Sequence, residues 1–431
     1  MSYYSNVAKT RQTQLKASVR FCIAKMKTLT LFLILNLTLV LGFRTKNYQK
    51  AKIISSDVIK ESPSPLYELQ CSSICMHEFA CEGFKFEEDK VCKPLKNIKT
   101  QATDSIESKD GWIDSEMNAI KTKLLVMTGQ PVENGIKTEV IDFLDPKNHC
   151  ISTDFPLALF DSTGGLLGTD LPVVCGGDPA GPSHGTCYVL KDRQFIPKMN
   201  LSTPREETGS SNNVVIDGSL ILVAGFTGSV RLNTVEAVSL TGMENLPSLP
   251  TDAGSPCTVK LDDKRIMTIG GNNGESMKTT FLYDFETKQW TPGPELNNPV
   301  AGHACAKFEL LGKPIIVVAS GYNSLYPGGG KRIPDVEFLD LEANNGWVKG
   351  QDLPASLNQH RMVPTPDGKG VLVIGGDVGD DNVQDSIYEL KCSSTLESCK
   401  WITLEQKLKY AREAFVSMLI PDSLAKDLCK P

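Results

Sequence analysis

Ile266-Met267-Thr268-Ile269-Gly270-Gly271 is a run of four strand-forming residues that stops at a glycine pair. Variants recur along the chain: Leu124-Leu125-Val126-Met127-Thr128-Gly129, Pro172-Val173-Val174-Cys175-Gly176-Gly177, Leu220-Ile221-Leu222-Val223-Ala224-Gly225, Ile315-Ile316-Val317-Val318-Ala319-Ser320-Gly321 and Val371-Leu372-Val373-Ile374-Gly375-Gly376. The final glycines stand at 129, 177, 225, 271, 321 and 376, giving intervals of 48, 48, 46, 50 and 55. Such a run suits a strand buried on both faces, and its glycine permits positive φ or close approach of another backbone. One strand of this kind cannot bury itself, so a steady superperiod indicates stacked repeats.

Behind each glycine comes a polar loop and then a second, alternating strand, at 138–143, 187–190, 234–238, 281–285, 336–340 and 386–390. An aromatic often follows (Phe195, Trp290, Trp347, Trp401), with Met243 near that place in the third copy. An arginine (Arg205, Arg361, Arg412) then precedes another short strand in some copies. The pattern resembles the kelch repeat, whose unit is one four-stranded propeller blade. Covering about residues 121–431, the resemblance implies an all-β, six-bladed kelch β-propeller. An irregular β-sandwich would show strand spacing of about 8–12 residues without the superperiod. The last strand, 414–420, has no glycine strand behind it, and the strand at Leu124 has no inner strand before it. The C-terminal strand therefore completes blade 1, closes the ring and brings Cys429 near Cys150.

Residues 1–42 read as a leader: a basic segment without acids, then an apolar run from Thr28 to Phe43, with small residues at Val40 and Gly42 for cleavage. Met26-Lys27 would itself make a compact start, and a signal anchor at the cell surface is the alternative. Losing residues 1–42 removes six basic and no acidic residues, taking the net charge from −6 to −12. Such a surface repels phosphate backbones and anionic membranes. Neither nucleic-acid binding nor membrane binding after leader cleavage is expected.

Residues 43–120 lack the glycine doublet and carry Cys71, Cys75, Cys81 and Cys92, then Gly111-Trp112-Ile113. This segment resembles a PAN/Apple domain, a small α+β unit stapled by disulfides; the resemblance implies pairs Cys71–Cys92 and Cys75–Cys81. A unit of this size needs such staples, whereas a zinc site would favour Cys-x2-Cys pairs. Eight cysteines lie in the propeller, an even count that suits an oxidising compartment. Cys175 with Cys187 and Cys392 with Cys399 read as local staples, and Cys150 with Cys429 as the closing bridge. Cys257 and Cys305, placed alike in successive inner strands, read as buried thiols, with a bridge across blades as the alternative.

Of catalytic motifs, neither Gly-x-Ser-x-Gly, His-Glu-x-x-His nor a phosphate loop is present. Kelch propellers include galactose oxidase, but this chain has five histidines and no Tyr-His dipeptide. His303 and His360 read as structural, and the carboxylates Asp377, Asp380, Asp381 and Asp385 as a solvated loop rather than a calcium site. No cofactor or metal is implied. The two resembled families imply a secreted, non-enzymatic binding protein for an extracellular protein or glycan; an extracellular propeller enzyme, copper-oxidase-like or sugar-modifying, is the alternative. An intracellular adaptor would need a helical domain upstream. Asn200-Leu201-Ser202 is an N-glycosylation sequon. Post-glycine loops of a propeller gather at the channel mouth. The longest here carries Tyr322, Tyr326, Lys331 and Arg332 around a triple glycine, and His184 and Arg231 join them as candidate binding residues.

Overall fold

The computed structural model describes residues 122–430 except 144–148, 209–213, 344 and 381, together with the backbone of four N-terminal strands. The chain divides into two units, Met1–Asn118 and Ala119–Pro431. In the first, strands Tyr48–Val58, Gly83–Phe86, Cys92–Gln101 and Gly111–Asp114 pair antiparallel into a small closed sheet. The leader and the pairings of Cys71, Cys75, Cys81 and Cys92 lie outside the described residues.

The second unit is a ring of six four-stranded antiparallel blades. Blade 2 runs Thr163–Leu167, Leu171–Cys175, Thr186–Lys191 and Gln194–Asn200 from the inside outward. Blades 3 to 6 repeat the order, starting with inner strands at Val215–Ile216, Cys257–Lys260, Ala304–Leu310 and Arg361–Pro364. Blade 1 is composite. Its inner strand is the C-terminal Val416–Pro421, paired with Thr122–Met127, followed by Glu139–Ile141 and Cys150–Ile151. The seam is therefore closed by backbone pairing between the two ends of the propeller.

The apolar core is six layers, each between neighbouring blades, rather than one centre. Val371 and Val373 pack toward blade 5, while Leu372 and Ile374, alternating with them, pack toward blade 1. This two-sided burial is what a continuous apolar glycine strand requires. Outer-strand tryptophans tie the rim: the indole N–H of Trp290 donates to Pro247 O at 2.9 Å, Trp347 to Pro294 O at 2.8 Å and Trp401 to Gln351 O at 3.1 Å. Each carbonyl belongs to the preceding blade.

The second glycine of each copy has φ between +96° and +115° in all six blades, a region open to glycine alone. The first position has φ between +56° and +67°, which Thr128, Ala224 and Ser320 also adopt. Only three copies keep both glycines because only the second is obligatory.

Four disulfides join described residues: Cys150–Cys429, Cys175–Cys187, Cys257–Cys305 and Cys392–Cys399. The expectation of thiols at Cys257 and Cys305 is corrected. Cys257 pairs opposite Ile269, but Cys305 pairs opposite Val318, one place further along the repeat than Ala304 opposite Ala319. One residue reverses the face of a strand. Cys257 thus points toward blade 5 and Cys305 toward blade 4, and both lie in the layer between them.

The grouping of Arg361 with Arg205 and Arg412 is corrected as well. Arg205 pairs with Glu236 in blade 3, and Arg412 pairs with Glu139 in blade 1 at 2.7 Å; all four side chains are fully buried. In blade 5 the corresponding Glu337 accepts instead from Asn297 and Asn298. Arg361 lies within the inner strand of blade 6 and serves the axis.

Candidate functional site

Ahead of each inner strand, one residue of every blade turns into the left-handed region: Asp161, Glu207, Ser255, Gly302, Gln359 and Ala414, with φ from +46° to +60°. Their backbones form a closed ring of hydrogen bonds. Asp161 N–H donates to Ala414 O (2.7 Å), Glu207 to Asp161 (3.1 Å), Ser255 to Glu207 (2.9 Å), Gly302 to Ser255 (3.1 Å), Gln359 to Gly302 (2.8 Å) and Ala414 to Gln359 (2.9 Å). Here the peptide groups satisfy one another across blades, so side chains on the ring need no backbone role.

Carboxylates crowd this ring. Burial pushes Asp161 well above the usual range, and the nearby Glu207 charge adds to it. Glu206, buried and accepting from Ser183 Oγ at 3.1 Å, is pushed up to about 7 by burial and then by Asp178. Glu207 is raised by burial, and Arg231 offsets this in part. Arg361 is the central countercharge: buried, it donates to Phe415 O, Gln359 O and His360 O, and it acts on Asp161 and Glu413. Burial lowers its guanidinium to about 10, against the pull of those two carboxylates.

Around the ring stand the post-glycine loops. In blade 5, Tyr322–Asn323 pairs with Lys331–Arg332 as a small hairpin carrying the expected residues. Lys331 Nζ lies 3.6 Å from the centre of the Tyr326 ring, a cation–π contact. Arg332 forms an ion pair with Asp377 of blade 6. Asp377 is buried and also accepts from Gly379 N–H at 2.6 Å, so it is a structural partner rather than part of a solvated loop. Toward blade 4, Ser276 and Ser324 exchange two backbone-to-hydroxyl bonds of 2.7 and 2.9 Å. Tyr322, Tyr326, Lys331 and Arg332 are therefore brought together. Arg231 stands apart, 5.8 Å from the Phe226 ring and within reach of Glu207. His184 stacks near Tyr188, with ring centres 5.9 Å apart, and burial lowers its pKa.

Four exposed large hydrophobics sit on these same loops: Val132 (49%), Val230 (59%), Leu325 (51%) and Tyr326 (37%). A groove of about 530 Å³ opens between blades 4 and 5, with Met277, Phe281, Pro299 and Leu325 among its walls. On the axis below the ring, a smaller cavity of about 150 Å³ is lined by inner-strand residues including Cys305, Met362 and Met418.

His303 and His360 lie in adjacent blades, fully buried; the backbone groups of Ile269 and Ala319 beside their rings meet no ring nitrogen in good hydrogen-bond geometry. Burial lowers both to about 3, and Arg361 adds to the shift of His360. Among the described residues no group of three or more His, Cys, Asp or Glu is arranged to hold a metal ion. Asn200 is exposed at the end of its strand and accepts from Thr186 Oγ1 at 3.0 Å. Among the described residues no helix is long and apolar enough to cross a membrane.

The axial carboxylates, Arg361 and the groove were not among the residues expected from sequence. A signal was present: the ring positions recur at 161, 207, 255, 302, 359 and 414, in step with the glycines.

Residues 253–297, the span of blade 4, match the kelch motif. Over 117 residues, 27% of the chain, the sequence is 30% identical to the Kelch repeat-containing protein kel-10 of Caenorhabditis elegans, of which this covers 19%. It is 25% identical over 189 residues, 42% of the chain, to a putative F-box/kelch-repeat protein of Arabidopsis thaliana, covering 48% of it. The chain thus spans less than half the length of either relative. The solved structure of YjhT superposes with a TM-score of 0.52 at 11% identity, over 62% of this chain and 91% of that one. At that identity the likeness is one of fold. Motif and architecture agree on a kelch-repeat, six-bladed β-propeller.

Proposed function

We propose that this protein is a secreted interaction module that recognises another extracellular protein through the face formed by its post-glycine loops. The observation that carries the reading is the gathering of Val132, Val230, Leu325 and Tyr326, all exposed, on loops of one face around an acidic mouth. Apolar and aromatic knobs beside charged groups are the composition of binding hot spots, and solvated loops have no need of them. Tyr322, Lys331, Arg332, Arg231 and His184 contribute the polar part of the surface. Secretion is supported by the leader-like run at 28–43, the disulfides and the exposed sequon at Asn200. Kelch repeats in the named relatives favour a binding role by analogy only.

The test is capture from extracellular fluid by the purified mature chain, run beside a glycan array. A specific protein partner supports the reading; selective glycan binding without a protein partner replaces it with carbohydrate recognition. A second reading, a sugar-modifying enzyme, draws on Glu206, which stays partly protonated near neutral pH as a general acid must. Turnover of a glycoside substrate that disappears in Glu206→Gln would establish it.

A further inference from the structure

The carboxylates at the axis and the groove beside them are adjacent. Thr251 and Asn273, which line the groove, flank the Gly254–Asn272 bridge. Glu207 covers that bridge: its Oε2 lies 2.7 Å from the point where a side chain on Gly254 would begin. Arg231 Nε lies 3.9 Å from the same point, so a segment lying in the groove ends over the Glu207 carboxylate and the guanidinium beside it. Its walls offer apolar surface from Met277, Phe281, Pro299 and Leu325, while much of its polar lining is already engaged. Ser276 Oγ donates to Tyr322 O at 3.0 Å, and Asn297 Nδ2 donates to Glu337 and to Trp347 O.

The charges on this face are unbalanced. Asp161, Asp178, Glu206 and Glu207 stand at the mouth, with Arg361, which is buried, and Arg231 as countercharges. The other nearby cations are committed, Lys278 in the groove wall to Glu295, Lys331 to the Tyr326 ring and Arg332 to Asp377. Burial holds Asp161, Glu206 and Glu207 toward their protonated forms, and an incoming cation in this partly desolvated place would draw them to the ionised form.

Resting on the reading of this face as a protein-binding surface, we propose that the groove between blades 4 and 5 receives an apolar side chain of the partner. A neighbouring lysine or arginine of the same segment then reaches Glu207 and the axial carboxylates. The partner's epitope is a basic, apolar stretch of polypeptide. Binding a cation favours the ionised carboxylates, so protons leave as the complex forms and affinity rises with pH through the range in which Glu206 titrates.

A phage-displayed library of random dodecapeptides, selected on the immobilised full chain, is the probe. Enriched peptides are expected to place Lys or Arg beside Leu, Ile, Met or Phe. As synthetic peptides they should lose about tenfold or more in affinity against Thr251→Trp, which fills the groove, and against Glu207→Gln, which removes the charge. Circular dichroism and thermal melting of both variants check that the propeller remains folded. Acidic consensus peptides, or basic ones that bind both variants as tightly as the parent, overturn the inference. If such peptides still lose affinity with Val230→Asp or Tyr326→Ala, the face remains a protein-binding surface and only the groove assignment fails. Absence of any enriched sequence also overturns it, leaving the broader reading to be decided by the capture experiment.

Discussion

Cys257 and Cys305 meet across two blades, with Cα atoms 6.0 Å apart, because they are one residue out of register in the repeat. A bridge between neighbouring blades needs cysteines on opposite strand faces, and the offset provides them. Non-reducing peptide mapping should recover the two linked. Replacing both by alanine should cost roughly 4 kcal/mol through the loop it closes. Recovery of both as alkylated thiols from the native protein would contradict the assignment.

The seam is held by side chains as well as by strands. Arg412 and Glu139 are fully buried and paired, and Glu139 also accepts from the backbone N–H groups of Lys409 and Tyr410 at 2.7 and 3.2 Å. Glu139→Ala should destabilise by roughly 3–5 kcal/mol, because it strands a buried guanidinium. Chemical denaturation gives the measurement, and a loss below about 1 kcal/mol would show that the seam does not depend on this pair.

At the second glycine, Gly225 has φ +110°, and an added Cβ would lie 2.6 Å from Glu206 O. Gly225→Ala should therefore cost more than about 2 kcal/mol. The preceding Ala224, at φ +59°, should accept glycine with little change. Equal effects of the two changes would refute the distinction drawn between the positions.

Two opposed titrations shape stability. His303 and His360 are held neutral with pKa near 3, so the unfolded chain takes up protons that the folded one refuses as pH falls below the ordinary histidine value of 6.5. Stability is then lost between 6.5 and about 3, on the order of a few kcal/mol. Glu206, raised from 4.5 to about 7, acts the other way: its contribution is present at low pH and lost as pH rises through that window. Phe415 fills in blade 1 the place that His360 holds in blade 6. His360→Phe should flatten the acid arm of the profile, and Glu206→Gln the neutral arm. Melting temperatures recorded from pH 4 to 8 that leave both arms unchanged would contradict the assignments.

The blades were legible because a glycine at φ near +100° admits no substitute, so its period survives where the rest of the repeat drifts. Tryptophans 290, 347 and 401 were legible for a similar reason, since each ties one blade to the one before. The face of a cysteine was not legible, because a one-residue register difference between inner strands leaves the apolar pattern unchanged. The axial ring was missed for a different reason. Asp161, Glu207 and Glu413 come from three blades and share no local motif, and only closure of the ring turns them into one cluster. Arg361 was misread because its neighbours in sequence resemble those of Arg205, although it lies on the strand itself.

The central claim is that one face of the propeller binds protein. Leu325 and Val230 lie on that face, while Leu240 and Leu311, 47% and 75% exposed, lie in turns at the opposite ends of their blades and serve as matched apolar controls. A photo-reactive amino acid placed singly at each of these four positions in the full chain, irradiated in extracellular fluid, reports which face is occupied. The account predicts a discrete protein adduct from positions 230 and 325 and none from 240 and 311. Adducts of equal yield from both faces, or from positions 240 and 311 alone, would contradict it.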